Sequence, residues 1–370
     1  MHRTITHLNE GASPSSSVLM GAEWWSTSND TVGGAIVREL TMLPTITAVF
    51  IFLVFEGATV GQPAMEKPLQ LESKIPLGSV AGRIDHMAFD PTNHRLFVAE
   101  LGNNTVGVVD LDAQKVVHRI SGLKEPQGVA YVSKNDTLYV ANGGNGSVQF
   151  FSGEDYSMAG QINLDADADN IRVDFSTNHL LVGYGSGAIG TIDLQSNKKT
   201  GAFPLAAHPE SFQLDAGTRE IFVNLPNQRS IAVIDADTGK QRAAWSLTFG
   251  GNFPMALDSE RQRVFVVFRN PAKFAAFNWQ TGELISEMTT CGDADDLFAD
   301  SKRKRIYIVC GAGFIDVLRA DDPKYARLAQ IPTTVGARTG LLVAEIDRLF
   351  IAARAQSGEL ASIWVYRLTP

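Results

Sequence analysis

Clusters of charged and amide side chains recur at intervals of roughly 40–45 residues along most of this sequence. Each cluster combines groups with different chemistry: arginines bind anions, carboxylates accept protons or bind cations, and histidines exchange protons near neutral pH. This mixture of charges suits an anionic or polyhydroxylated ligand. The candidate ligand-binding residues are Arg83, Asp85, His86, Asp169, Asn170, Arg172, His208, Glu210, Asn252, Asp293, Asp295 and Arg338.

Two of the seven histidines, His86 and His208, belong to these clusters. An imidazole there can act as a general base, so His208 and His86 are the candidate catalytic residues if the protein is an enzyme. Successive side chains of a strand point to opposite faces, so we expect either Asp85 or His86, and not both, to face the site. No local motif dictates a reaction, and catalysis is left open.

Carboxylates of the clusters are also candidate ligands for a divalent cation. Oxygen ligands joined by one or two histidines favour Ca²⁺, Mg²⁺ or Mn²⁺ over a structural zinc ion, and no other cofactor is indicated. The candidate metal ligands are Asp169, Glu210, Asp293 and Asp295. The competing interpretation pairs the arginines of the clusters with acidic residues of neighbouring repeats. The sequence therefore admits a ligand site, ion pairs between repeats, or both.

The strands that position these clusters belong to a sequence repeat. An apolar triplet of strand-forming residues recurs with its central residue at positions 97, 139, 181, 222, 265, 307 and 350, which are 41 to 43 residues apart. One apolar strand precedes each triplet, another follows it, and an amphipathic strand closes most units. Four short strands per unit of roughly 40–45 residues are typical of a propeller blade. The sequence therefore predicts an all-β, seven-bladed propeller of four-stranded antiparallel blades.

The last repeat stops after its third strand, at about residues 363–366. The segment Leu69–Pro76 has the alternation of the outer strands elsewhere, so we expect it to supply the missing fourth strand. Such sharing joins the two ends of the domain and leaves no open sheet edge. The innermost strand of a blade lines the central channel, so clusters at the same phase of each repeat should meet at one mouth of that channel.

Several repeat phrases resemble a known family. The phrases Arg95–Ala99, Leu138–Asn142 and Val233–Lys240 are similar to the YVTN-type repeats of exported bacterial seven-bladed propellers, which include YncE-like proteins. The resemblance covers residues from about 68 to 370. It implies the propeller fold and export, but the family contains binding proteins, scaffolds and some more distant enzymes, so it does not select a function.

Two further sets of residues have structural interpretations. Asx turns are expected where strands end in aspartate, because this side chain hydrogen-bonds the backbone two residues further on. The two cysteines, Cys291 and Cys310, are expected about 13 Å apart if the hairpin between them is regular. That distance exceeds disulfide reach unless the loop folds back, so the disulfide is left open. The strand-end aspartates are Asp90, Asp174, Asp215, Asp258 and Asp300.

The N-terminal 64 residues lack the repeat. Residues 1–41 are rich in small polar residues and are expected to be disordered or to precede the true translation start at Met42. Residues 42–64 contain an apolar run that is shorter than a membrane span of about 20 residues and fits a signal peptide. We expect cleavage between about Ala58 and Met65, with an uncleaved anchor as the alternative. Residues 65–370 form the propeller.

The overall charge excludes one class of function. A formal net charge of −8 excludes a nucleic-acid binder of the usual basic kind. We expect a periplasmic or secreted monomer, without a membrane span after cleavage, that binds a small polar ligand or a protein partner at the channel mouth. The alternatives are a metal-assisted enzyme of the lyase or lactonase type at the same mouth, and an envelope scaffold.

Overall fold

The computed structural model of the chain describes residues 67–356 and 358–370. The extension predicted for residues 1–41 and the signal peptide predicted for residues 42–64 lie outside the described residues. Within the described ranges, no helix is both long enough and apolar enough to cross a membrane.

The described residues form 28 strands, arranged as seven antiparallel sheets of four strands each. Blade 1 contains β2 (Met87–Asp90), β3 (Arg95–Glu100), β4 (Thr105–Asp110) and β5 (Lys115–Ile120). Blade 2 contains β6 (Pro126–Val132), β7 (Thr137–Asn142), β8 (Ser147–Ser152) and β9 (Met158–Asn163). Blade 3 contains β10 (Ile171–Asp174), β11 (His179–Tyr184), β12 (Ala188–Asp193) and β13 (Lys198–Pro204).

The remaining blades continue the same order. Blade 4 contains β14 (Phe212–Asp215), β15 (Glu220–Leu225), β16 (Ser230–Asp235) and β17 (Gln241–Ser246). Blade 5 contains β18 (Gly250–Asp258), β19 (Arg263–Asn270), β20 (Ala272–Asn278) and β21 (Leu284–Thr289). Blade 6 contains β22 (Ala294–Asp300), β23 (Arg305–Cys310), β24 (Phe314–Arg319) and β25 (Arg327–Pro332). Blade 7 contains β26 (Gly340–Val343), β27 (Arg348–Ala353), β28 (Ala361–Leu368) and β1 (Leu69–Gly78).

The first strands of neighbouring blades contact one another around the whole ring, including β26 of blade 7 with β2 of blade 1. These strands are therefore innermost and surround the central channel. The arrangement is a seven-bladed β-propeller, which confirms the predicted fold class and blade count.

The ring closes through β1, the strand nearest the N-terminus. This strand pairs with β28 as the outermost strand of blade 7, in the order β1-β28-β27-β26. The register places Leu69 opposite Leu368 and Ile75 opposite Ile363. The shared blade predicted from the sequence is thus confirmed, and β1 extends two residues beyond the predicted end at Pro76.

The apolar triplets form the core because both faces of each blade are covered by neighbouring blades. Successive side chains of a strand point to opposite faces. In blade 1, Leu96 and Val98 belong to the cluster shared with Phe350 of blade 7. Phe97, which lies between them, packs toward Leu138 of blade 2. A strand covered on both faces therefore needs apolar residues at consecutive positions, whereas a strand with one exposed face would alternate apolar and polar residues.

The strand-end aspartates hold the turns, as predicted, and two of them also link blades. Asp90 accepts a hydrogen bond from the backbone N–H of Thr92 at 2.8 Å. Asp174 pairs with Arg219 of the next blade at 2.8 Å, and the hydroxyl of Ser259 in the next blade donates to Asp215, also at 2.8 Å. Burial alone would raise the pKa of Asp174, but Arg219 and two nearby hydroxyls hold it well below its usual range.

A disulfide joins Cys291 and Cys310, with their Cα atoms 5.8 Å apart. The spacing expected from a regular hairpin was wrong for two reasons. Cys310 lies opposite Ala294 instead of Asp295, with a bulge after Ala294. The chain also folds back, since Gly311 donates its backbone N–H to the carbonyl of Asp293 at 2.8 Å. Closing a loop with a sequence separation of 19 residues stabilises a fold by about 3 kcal/mol.

Two leucines of β1 provide a test of the ring closure. Leu77 is 1% exposed and packs between blades 7 and 1, whereas Leu71 on the same strand is 42% exposed. We expect Leu77→Ala to lower the free energy of unfolding by about 2–5 kcal/mol, because it leaves a cavity in the core. Leu71→Ala, the matched control, should cost much less. Equal losses in chemical denaturation would contradict the closure by β1.

Candidate functional site

A polar cavity of about 210 Å³ lies where the chain enters the innermost strands. The lead-in segments stand at the same phase of every blade, so the ring brings them together at one mouth of the channel. Ten of the twelve predicted ligand-binding residues line the cavity. These are Arg83, Asp85, His86, Asp169, Asn170, Arg172, His208, Glu210, Asp295 and Arg338.

The structure does not place the other two predicted residues in the cavity lining. Asn252 is fully buried and donates to the side chain of Asn224 and the carbonyl of Ser230, each at 3.1 Å. It therefore holds blade 5 against blade 4. Asp293 is half-exposed beside the cavity and pairs with Arg338 at 3.0 Å.

Asp85 and His86 both line the cavity, although strand alternation predicted only one of them. The reason is that β2 begins at Met87, after both residues. The backbone of Asp85 and His86 is not part of a strand, so the alternation of a pleated strand does not apply to them.

The sequence analysis missed several lining residues, and blade 5 supplies the most important ones. Arg269 lies near the end of β19, which has eight residues where the second strands of the other blades have six. The apolar runs of the second strands in blades 5, 6 and 7 have the same length, so the sequence carries no signal for this difference. Phe253 and Pro254 enter the lining at a bulge of β18. The other missed residues are Gln127, Asp167, Ser211, Met255, Asp296 and Leu297.

Ion pairs hold three of the four cavity arginines. Arg83 pairs with Asp85 at 2.8 Å. Asp295 of blade 6 pairs with Arg338 of blade 7 at 2.7 Å and also with Arg269 of blade 5. The guanidinium of Arg269 additionally lies 3.6 Å from the ring centroid of Phe253. The ion pairs between blades that the sequence left open are therefore present on this side of the cavity.

Arg172 differs from the other three arginines. No carboxylate of the described residues lies within ion-pair distance of its guanidinium, which donates to the carbonyl of Ile171 at 2.7 Å and lies 5.6 Å from the ring centroid of Phe212. Burial lowers the pKa of Arg172, while Asp296 and Asp169 oppose that shift from further away. Arginine nevertheless stays charged in proteins. Arg172 thus presents a partly buried cation to the cavity.

The two histidines are held in their cationic forms by neighbouring carboxylates. His208 bonds the carbonyl of Gly185 through Nδ1 at 2.7 Å, and its Nε2 lies 3.9 Å from Asp169. Burial alone would lower the pKa of His208, but Asp169, the Gly185 carbonyl and Asp167 raise it to about 9. The pKa of His86 is also raised, because Asp85 and Asp296 outweigh its burial.

Two carboxyl groups of the cavity titrate close to neutral pH. Burial, together with the charge of Asp169, raises the pKa of Glu210 to about 7. Burial raises the pKa of Asp296 to about 6, although His86 and the backbone N–H of Gly340 lower it. Asp296 accepts that N–H at 2.7 Å. Within the described ranges, the carboxyl of Glu210 has no hydrogen-bond or ion-pair partner of its own.

Apart from Nε of Arg338, which has an ion-pair partner in Asp295, two polar atoms at the cavity wall have no hydrogen-bond partner among the described residues: Oδ1 of Asn170 and Oγ of Ser211. Asn170 is only 3% exposed, and its Nδ2 donates to the backbone carbonyl of Glu210. A buried acceptor without a donor costs free energy, so such atoms in a native site point to a bound water or ligand.

In residues 67–356 and 358–370, no three His, Cys, Asp or Glu side chains converge in a way that could hold a metal ion. Asp293 and Asp295 are instead engaged by Arg338. The divalent-cation site stays a prediction of the sequence.

The fold and the cavity define the chain as a seven-bladed β-propeller with a charged pocket at one mouth of its channel. A chain in a crystal structure of a mitotic checkpoint complex is similar to it, with a TM-score of 0.70 and 14% identity over 88% of this chain and 99% of that chain. Hydrazine synthase of Kuenenia stuttgartiensis has a similar chain, with a TM-score of 0.66 and 16% identity over 78% of this chain and 97% of that one.

Identities this low show the fold alone. No protein-family model and no curated protein matches the sequence. The resemblance to YVTN-type repeats stays a prediction.

The pKa of His208 can be measured directly. We expect an NMR titration to show one imidazole with a midpoint near pH 9, well above the ordinary value of 6.5, and this signal should be absent in His208→Asn. A raised pKa means that the stability His208 contributes is complete below pH 6.5 and is lost as the pH rises through 9. A midpoint at or below 6.5 would show that the carboxylates do not hold the proton.

Proposed function

We propose that the chain is an exported binding protein that recognises a small anionic ligand at the mouth of its channel. The observation that carries this proposal is the state of Arg172, which lines the cavity without a carboxylate partner among the described residues. A partly buried charge without a counter-ion is costly, and an anionic ligand would supply the missing partner.

The shape of the site supports a small ligand over a protein partner. A volume of about 210 Å³ lies below the 300–1,000 Å³ of pockets for drug-sized molecules. Paired arginines surround the cavity and fix its walls, because each ion pair holds a side chain in one orientation. The wall formed by Phe253, Pro254 and Met255 offers an apolar surface beside the charges.

Export is supported by two independent features. The apolar segment near residues 42–55 is followed by small residues, as in a secretory signal peptide. Blade 6 contains the disulfide between Cys291 and Cys310, and disulfides persist mainly in oxidising compartments. The resemblance to exported propeller repeats agrees with both features.

An acid–base enzyme, such as a lyase, is the second candidate function. It is favoured by two titratable groups of the same cavity that interact electrostatically and have shifted pKa values: Glu210 near 7 and the more basic His208 near 9. Such a pair can exchange a proton with a ligand at neutral pH. The two candidates differ in the fate of the ligand, since a binding protein returns it unchanged after incubation.

Three variants test the anion site. We expect Arg172→Gln to weaken the binding of lactate and of inorganic phosphate at least about tenfold, because a hydrogen-bonded charge is removed. The affinity of Arg172→Lys, which keeps the charge but loses the planar guanidinium group, should lie between that of Arg172→Gln and that of the natural protein. Arg319→Gln, at an exposed pair with Asp321, is the control.

Calorimetric titration of the folded variants measures these affinities, and thermal melts verify that each variant folds. If neither anion binds, or if Arg172→Gln binds as tightly as Arg319→Gln, the ligand-site proposal is wrong and the scaffold alternative replaces it.

Export has its own test. The intact mass of the protein recovered from periplasm or culture fluid should correspond to a first residue between about Thr59 and Met65. A mass that includes residues 42–58 would instead show an uncleaved anchor.

A further inference from the structure

We propose that the ligand is a small hydroxy or amino acid, whose carboxylate binds Arg172 and whose hydroxyl or ammonium group donates a hydrogen bond to Glu210. This inference rests on the proposed anion site and specifies its substrate class. It follows from the difference between the charged groups of the cavity that have a partner of opposite charge and those that have none.

Most charged groups of the cavity have a partner of opposite charge. Arg83 pairs with Asp85, and Asp295 pairs with both Arg269 and Arg338. The histidines stand between further carboxylates: His208 lies 3.7 Å from Asp167 and His86 lies 3.8 Å from Asp296. In the part of the chain that the structure describes, one cation and one carboxyl of the lining are left without such a partner: Arg172 and Glu210.

Arg172 and Glu210 belong to neighbouring blades and face the same cavity. Arg172 is the second residue of β10 in blade 3, and Glu210 lies two residues before β14 in blade 4. Asp169 interacts electrostatically with both, since its charge raises the pKa of Glu210 and opposes the lowering of that of Arg172. Both groups therefore border the same space of about 210 Å³ and share one electrostatic neighbour.

A simple anion would leave the acceptors of this site unsatisfied. Oδ1 of Asn170 is a buried acceptor without a donor among the described residues, and Nδ2 of the same side chain fixes it against the backbone of Glu210. The carboxyl of Glu210 is a second acceptor at the same place. A ligand that carries a hydroxyl or ammonium group next to its carboxylate supplies the donor that acetate lacks.

The apolar wall completes a three-point contact. Phe253, Pro254 and Met255 of blade 5 line the cavity and can receive a short carbon substituent of the ligand. Three different contacts around one carbon atom distinguish mirror images. We therefore expect the site to prefer one enantiomer of its ligand.

The test uses three acids with the same three-carbon skeleton: propionate, lactate and alanine, the last two as separate enantiomers. Titrations followed by NMR at pH 8 keep Glu210 ionised, since its pKa is about 7. We expect the preferred enantiomer of lactate or alanine to bind at least about tenfold tighter than propionate, as one added hydrogen bond to a charged group implies.

Glu210→Gln separates the two donor groups. This variant should weaken the binding of alanine at least about tenfold, because the amide cannot pair with an ammonium charge. It should weaken the binding of lactate less, because the amide oxygen still accepts a hydrogen bond from a hydroxyl. Propionate should be unaffected. Glu260→Gln, on the exposed turn between β18 and β19, is the matched control.

The outcomes distinguish this inference from the proposed function. If propionate binds as tightly as lactate and alanine, and Arg172→Gln abolishes all three, the donor proposal is wrong while the anion site stands. If Glu210→Gln behaves like Glu260→Gln with every probe, Glu210 does not receive the ligand and the inference fails. If no probe binds the natural protein, both proposals fail.

Discussion

The pairing of β1 with β28 is the contact on which the ring depends. Every blade covers the faces of its two neighbours, so an open ring would expose two blade faces and one sheet edge at once. The strand nearest the N-terminus closes blade 7 by antiparallel pairing that runs from Leu69 to Gly78. Ile75 and Leu77 then pack in the cluster that joins blades 7 and 1. Closure therefore links the two ends of the described chain through a hydrophobic contact.

In a closed ring of repeated blades, most of the apolar packing between blades lies outside the channel mouth. The apolar triplets and the strand-end aspartates, such as Asp174 with its bond to Arg219, secure blade against blade away from the mouth. The lead-in segments can therefore carry charged side chains, because the packing elsewhere offsets the free-energy cost of partly burying them. Net stability of a domain is only about 5–15 kcal/mol, so a buried charge at the mouth that lost its partner, at a cost of about 3–5 kcal/mol, would remove a large share of it.

The cavity separates into two halves with different electrostatics. On the side of blades 5 to 7, Asp293 and Asp295 both pair with Arg269 and Arg338, and these ion pairs make a rigid wall whose charges balance. On the side of blades 3 and 4, Arg172 and Glu210 keep unused binding capacity beside His208. Blade 5 breaks the symmetry of the ring, because its longer strands bring Arg269 and the bulged Phe253 into the lining. This departure from the repeat gives the cavity two unlike sides.

The sequence by itself determined the blade count, the phase of the strands and the closure by Leu69–Pro76, because alternation and a period near 42 are local properties of the chain. The same phase placed ten of twelve residues in the cavity. It did not determine which cations have a carboxylate partner, since the carboxylates that pair with Arg338 come from another blade, more than 40 residues away, and none of the described residues supplies one for Arg172. Nor did regular strand geometry apply where the chain departs from it, at Asp85 and His86, at the bulge after Ala294 and at the disulfide of Cys291. Only the tertiary structure decided these points, because ion pairs and irregular backbone depend on side chains that the fold brings together.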